Sequence, residues 1–208
     1  MLPGNARRKP MSSPPAPDEI ILVDENNRAL GSAEKHAAHR SGLLHRAFSV
    51  FLCDASGRVL LQQRHAAKYH SGGLWANSCC GHPRVGERTK AAARRRVREE
   101  LGVDVDLTFG FRARYRTSFA NGMHENELVY VYFGRLDRPP HPDRSEIADV
   151  TFVALPEIER LVQRKPDAYA YWFRYYFESH FDEVAGGVAR AARRPAGSTI
   201  RNSDALRS

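Results

Sequence analysis

Four groups of residues have the types and spacing to do chemistry. In the first, five residues separate Gly81 from Glu87 and seven more separate Glu87 from Arg95, with Arg96, Val97, Glu99, Glu100 and Gly102 behind. Carboxylates close together on one helix, with another just ahead of it, can gather Mg²⁺ and a diphosphate. Arg96 interrupts that acidic set, and a planar guanidinium binds phosphate directly instead of through a metal. Arg- and Glu-rich helix faces are ordinarily just solvated, so the spacing carries this reading, not the composition. The second group is Glu125-Asn126-Glu127. Alternation along a strand points both carboxylates into one space, where they need a metal or a shared proton unless the strand edge is simply wet. His39, His45 and His82 are neutral nitrogen donors of the kind Zn²⁺ or Mn²⁺ accepts, without zinc-finger spacing. The fourth group is the thiol of Cys80, two residues before His82, whereas Cys53 and Cys79 read as small buried hydrophobes.

The elements that must hold these residues alternate irregularly. Ile20–Val23 reads as a first strand, stopped by the turn formers Asp24, Asn26 and Asn27. Ala47–Asp54 and Arg58–Arg64 are apolar runs joined by Ala55-Ser56-Gly57, a hairpin pattern. Thr89–Leu101 is helical, with Gly102 as its stop. Strands follow at 104–115, 127–136 and 150–153, then helices around 156–163 and 168–181. Strands and helices that do not strictly alternate predict an α+β fold, a three-layer α/β/α sandwich with a mixed sheet, not a Rossmann sheet. Neither a Gly-x-Gly-x-x-Gly nor a Walker lysine motif occurs.

Two hundred and eight residues, 42% apolar and 27% charged, predict one domain. The net charge of +8 lies mostly at the ends. Residues 1–17 carry about +3 and residues 184–208 about +4, leaving a nearly neutral body at 18–183. Such a distribution does not describe a nucleic-acid groove, and the Pro-, Gly- and Ala-rich ends are expected to be disordered tails around a domain at 18–183. No run of 18 apolar residues and no secretory signal is present, so a cytoplasmic chain with no membrane partner is expected. Three cysteines, two of them adjacent, make no disulfide framework.

The stretch from Gly81 to Val103 resembles the Nudix box at every fixed position except Arg96, where the box has Glu. Further motifs sharpen the resemblance: Ala38-His39, Leu44-His45-Arg46-Ala47-Phe48-Ser49, Trp75 to Pro83, Arg114-Tyr115-Arg116 and Glu125-Asn126-Glu127. Together, over about residues 20–180, they resemble the type I isopentenyl-diphosphate isomerases, a Nudix-fold family that also carries Arg at the altered position.

This resemblance implies a 1,3 proton shift, from isopentenyl to dimethylallyl diphosphate, through a tertiary carbocation. It implies that His39, His45, His82, Glu125 and Glu127 hold one Zn²⁺ or Mn²⁺. It places Glu100 at a second ion, Mg²⁺, and Lys35, Arg64, Lys68 and Arg96 on the diphosphate. Cys80 and Glu127 become the acid–base pair, their order left open. Tyr115 becomes the residue that fixes the acidic partner, and Trp172 an aromatic face for the cation. An aromatic-rich helix would otherwise read as packing surface, and lone lysines as exposed. Cys79 beside Cys80 leaves open which thiol reacts, and the oligomeric state is also open. Two other readings remain at this point: a Nudix pyrophosphohydrolase, and a binding module dominated by its basic tails.

Overall fold

A computed structural model of the protein describes residues 18–68 and 70–194. Its central strand is β3, His45–Cys53, which is buried along nearly its whole length. Alternation divides its side chains between two cores. Ala47, Phe51 and Cys53 join one cluster, and Phe48, Val50 and Leu52 join the other. A strand covered on both faces reads as a continuous apolar run, which is why Ala47–Asp54 was legible as a strand.

One edge of β3 pairs in parallel with β8, His124–Arg135, from His45↔Glu127 to Cys53↔Arg135. Its other edge is shared by three strands in succession. β1, Glu19–Val23, meets it at His45, β6, Cys79–Gly81, at residues 48–50, and β4, Val59–Arg64, at Cys53. Beyond these lie β2, Ala29–Glu34, on β1, β5, Trp75–Ala76, and β9, Ile147–Val153, on β4, and β7, Thr108–Ser118, on β8. The sheet is therefore mixed. On one face lies α2, Thr89–Leu101, whose Ala92, Ala93, Val97 and Leu101 are buried. On the other lie α3, Leu155–Arg164, α4, Tyr171–Ser179, and α5, Phe181–Ala192. This is the expected three-layer α/β/α sandwich.

Two features depart from the sequence reading. The element expected at 168–181 is a 3-10 turn, Pro166–Ala168, followed by α4, and His180, outside helical backbone (φ −141°, ψ 27°), breaks it from α5. The tail expected from residue 184 does not begin there, because α5 continues to Ala192. Val184, Gly187, Val188 and Ala191 recur at helical spacing and are buried. The stripe was hidden by small residues that look like low complexity. Gly187 has a packing reason, since a Cβ there would stand 2.4 Å from the Phe133 ring. Part of the supposed tail charge is engaged as well: Arg194 pairs with Asp106 at 2.8 Å. The expected tail residues 1–17 and 195–208 lie outside the described residues.

One further helix, α1, Lys35–Ser41, follows β2 directly. The Glu34 carboxylate accepts hydrogen bonds from His36 N and Ala37 N at 2.8 Å, capping its first turn. Gly42, at φ 61°, closes it in the left-handed region. Spacing i, i+4 then puts Lys35 and His39 on one face.

Candidate active site

Strand register assembles the site. Tyr115 of β7, Glu127 of β8 and His45 of β3 stand opposite one another across three neighbouring strands. Four residues further along β3, Ser49 stands opposite Cys80 of β6. Glu127 and Cys80 therefore flank β3 on opposite edges and line one cleft of about 350 Å³. Trp172 closes over it from α4, and Lys35 reaches it from α1.

Three imidazoles converge beside the two carboxylates. The ring centroids of His39, His45 and His82 lie 4.7, 5.4 and 4.9 Å apart pairwise. His39 Nδ1 donates to Lys35 O at 2.6 Å and His45 Nδ1 donates to Leu43 O at 2.8 Å. A carbonyl can only accept, so in the neutral rings Nε2 is the nitrogen with the lone pair, and both Nε2 atoms face Glu125 and Glu127. His39 Nε2 is 3.5 Å from Glu125 Oε2, and His45 Nε2 is 3.4 Å from Glu127 Oε1. His82 Nε2 is 2.9 Å from the same Glu127 oxygen. Buried Glu125 Oε2 and His45 Nε2 make no hydrogen bond of good geometry to any described residue. Buried lone pairs turned toward one point are the arrangement a divalent cation satisfies, and His39, His45, His82 and Glu127 offer nitrogen and oxygen donors close enough together to share one.

The protonation states fit such a site. Burial pushes His82 down to about 4, so it is neutral at pH 7. Burial also opposes ionisation of Glu127, but the His45 and His82 imidazoles against its Oε1, with the hydrogen bond from His82 Nε2, outweigh it and hold the carboxyl well below its usual range. Tyr115 OH donates to Glu127 Oε2 at 2.6 Å, while burial and that same carboxylate keep the phenol fully protonated. Across the cleft, burial pushes the Cys80 thiol up to about 12. Its Sγ lies 3.3 Å from Asn77 Oδ1 and 3.3 Å from Ser49 Oγ, and Tyr176 OH donates to that serine at 2.9 Å. Cys79 points the other way, into the second core, and is fully buried.

At the mouth of the cleft four cations crowd together. Burial, with Arg96 and Arg64 nearby, lowers Lys35 below its ordinary range. Burial with Arg64, Arg96 and Lys35 nearby pushes Lys68 down to about 8, although Glu146 touches it and Glu100 opposes the shift. Like charges brought together and partly desolvated are relieved by an anion. Arg96 contacts the buried Glu100 and lies 2.9 Å from Glu99 and 3.6 Å from Glu146. Arg95 instead forks onto Glu87 at 2.8 and 2.9 Å, fastening the preceding loop to α2. Arg64 donates to His70 O and Ser71 O, both at 3.2 Å, and its Cζ lies 5.1 Å from the centroid of the Trp172 ring.

Residues 43–176 match the NUDIX domain model. An isopentenyl-diphosphate Delta-isomerase of Aromatoleum aromaticum is 44% identical over 183 residues, covering 88% of this chain and 97% of that protein. The chain belongs to this NUDIX-domain isomerase family. A second isomerase of the same organism is 48% identical over 157 residues, covering 74% of this chain and 88% of its own. A solved Deinococcus radiodurans structure shares the fold, with a TM-score of 0.65 at 18% identity over 77% of this chain and 97% of its own.

Set against the family resemblance, every expected residue lies in or against this cleft. His39 and His45 sit behind the carboxylates and the others line it directly. The sequence reading missed four that the fold adds: Ser49, Asn77 and Tyr176 around Cys80, and His70 on Glu125. Ser49 and Asn77 belong to motifs of the resemblance, without a role. Nothing local marks Tyr176 or His70, because each acts through a contact made across the fold.

Proposed function

We propose that the chain isomerises isopentenyl diphosphate to dimethylallyl diphosphate, with Cys80 and Glu127 as the proton-transferring pair. The observation that carries this is the opposition across one cleft of a thiol that keeps its proton and a carboxylate that keeps its charge. A 1,3 shift adds a proton to the terminal alkene carbon and removes one from the allylic carbon, so donor and acceptor must face the substrate from two sides. In the free protein the proton is on Cys80 and Glu127 is the acceptor. Asn77 and Ser49 orient the thiol, and Tyr115 fixes the carboxylate.

His39, His45, His82, Glu125 and Glu127 would hold one Zn²⁺ or Mn²⁺, and Glu100 a Mg²⁺ shared with the substrate's diphosphate. When bound, these ions supply charge neutralisation and fixed geometry. Lys35, Arg64, Lys68 and Arg96 bind the diphosphate at the mouth, leaving the alkene inside. Trp172 offers the cationic intermediate a π face without a nucleophile, and its burial helps keep out the water that would quench it. The described residues form one domain, acting on a small-molecule diphosphate. Among those residues no helix is long and apolar enough to cross a membrane.

The test is incubation with isopentenyl diphosphate, Mg²⁺ and Mn²⁺ in D₂O, followed by proton and phosphorus NMR. Deuterated dimethylallyl diphosphate with its diphosphate intact is the expected product. Release of monophosphate or phosphate without alkene migration would replace this reading with a NUDIX hydrolase, against which Arg96 stands.

A further inference from the structure

His70 lies on the loop between β4 and β5, belongs to none of the motifs that define the site, and is buried against it. Its Nε2 is 2.9 Å from Glu125 Oε1, and its Nδ1 faces Ser71 Oγ at 3.4 Å. The ring is held by its neighbours, stacked on Phe119 at 4.9 Å and 9° and set edge-on to Trp172 at 5.8 Å and 89°. Arg64 fixes the loop by donating to the carbonyl of His70 itself.

The two carboxylates are treated alike. Glu127 has Oε2 tied by Tyr115 OH, which leaves Oε1 turned toward His45 and His82. Glu125 has Oε1 tied by His70, which leaves Oε2 turned toward His39 at 3.5 Å and His45 at 4.0 Å. A carboxylate with neither oxygen fixed rotates about its last bond and presents its lone pairs over a wide arc. A donor on one oxygen selects the orientation that sends the other into the cluster.

We infer that His70 is a positioning residue: its Nε2–H fixes Glu125 so that Oε2 is aimed as a ligand into the three-histidine cluster. The inference rests on the cation site proposed above. Because the same ring packs against Trp172, His70 also joins the cation site to the aromatic wall of the cleft.

The experiment measures Mn²⁺ binding to the substrate-free protein by loss of the free-ion EPR signal, with excess Mg²⁺ present. Two variants separate the hydrogen bond from the packing. His70→Phe keeps an aromatic ring on Phe119 without a donor, and His70→Gln keeps an N–H donor without the ring. Loss of an outer hydrogen bond to a ligand weakens metal binding about 10- to 100-fold. His70→Phe is therefore expected to weaken Mn²⁺ binding about tenfold or more, and His70→Gln to stay within about threefold of the parent. Binding by His70→Phe equal to the parent overturns the inference. So does His70→Gln as weak as His70→Phe, which would assign the effect to packing. A parent protein that binds no Mn²⁺ while still isomerising overturns the cation site itself, and parent binding without turnover overturns the isomerase reading alone.

Discussion

Replacing Trp172 with Leu removes the π face while keeping an apolar wall. The ring is 4% exposed, so a cation held against it would be desolvated and its attraction would lie toward the upper end of the cation–π range, about 2 kcal/mol. If that attraction exists only when the substrate is cationic, its loss lowers turnover and not ground-state affinity. The expected fall in kcat is therefore about 30-fold at most and about 2-fold at the weak end of the range, with KM nearly unchanged. Arg64, 5.1 Å from the ring centroid, already shows that a cation can occupy this neighbourhood. Trp172→Phe, with a smaller π face, should fall between. Initial rates by NMR at 25 °C, on variants whose circular dichroism matches the parent, give both constants. Folding must be checked because complete truncation of a buried Trp costs about 3–5 kcal/mol. A Leu variant with unchanged kcat, or with only KM raised, would refute the role and leave Trp172 as a wall.

Cys80→Ala should lower kcat by about 100-fold or more, the usual range for a general acid or base, while Cys79→Ala leaves it within a few-fold. Equal losses in the two would refute the assignment of the thiol. For Lys68 the free-enzyme value of about 8 means that its positive charge is lost as pH rises through 8. kcat/KM should then fall above that pH, while kcat, measured with diphosphate bound, holds to higher pH. Lys68→Arg should remove this limb of the profile, and its persistence would point to another group. Gly187→Ala forces a Cβ to 2.4–2.5 Å from the Phe133 ring, so thermal unfolding should show a loss of about 1–3 kcal/mol. An unchanged melting temperature would mean that α5 is not packed as described.

Much of the fold was legible because burial writes itself into local pattern. The helix at Thr89–Leu101 has the same ends in sequence and structure, since an Ala-rich run is bounded by Thr89 and by Gly102, which the left-handed stop at φ 66° favours. β3 was readable as an apolar run because it is covered on both faces. β2 was not, because its residues are almost all exposed and carry no alternation. α1 was missed as well, since it is seven residues long with two buried positions, too short for a period to show. The break at His180 escaped for the opposite reason, since the aromatic pattern runs through it.

The sequence by itself determined which side chains are candidates for chemistry, because the spacing from Gly81 to Val103 and the motifs of the family resemblance single out residues that the fold gathers in one cleft. It also determined that Glu125 and Glu127 share a face, a consequence of strand geometry alone. Only the tertiary structure decided how those groups are protonated and aimed. The Cys80 proton, the neutral His82 and the charged Glu127 follow from burial and from partners 12 to 82 positions away, from Tyr115 to His45. The same holds for His70. A hydrogen bond to Glu125, 55 positions along the chain, is created by β4, β8 and the loop meeting in space, and no local pattern encodes it.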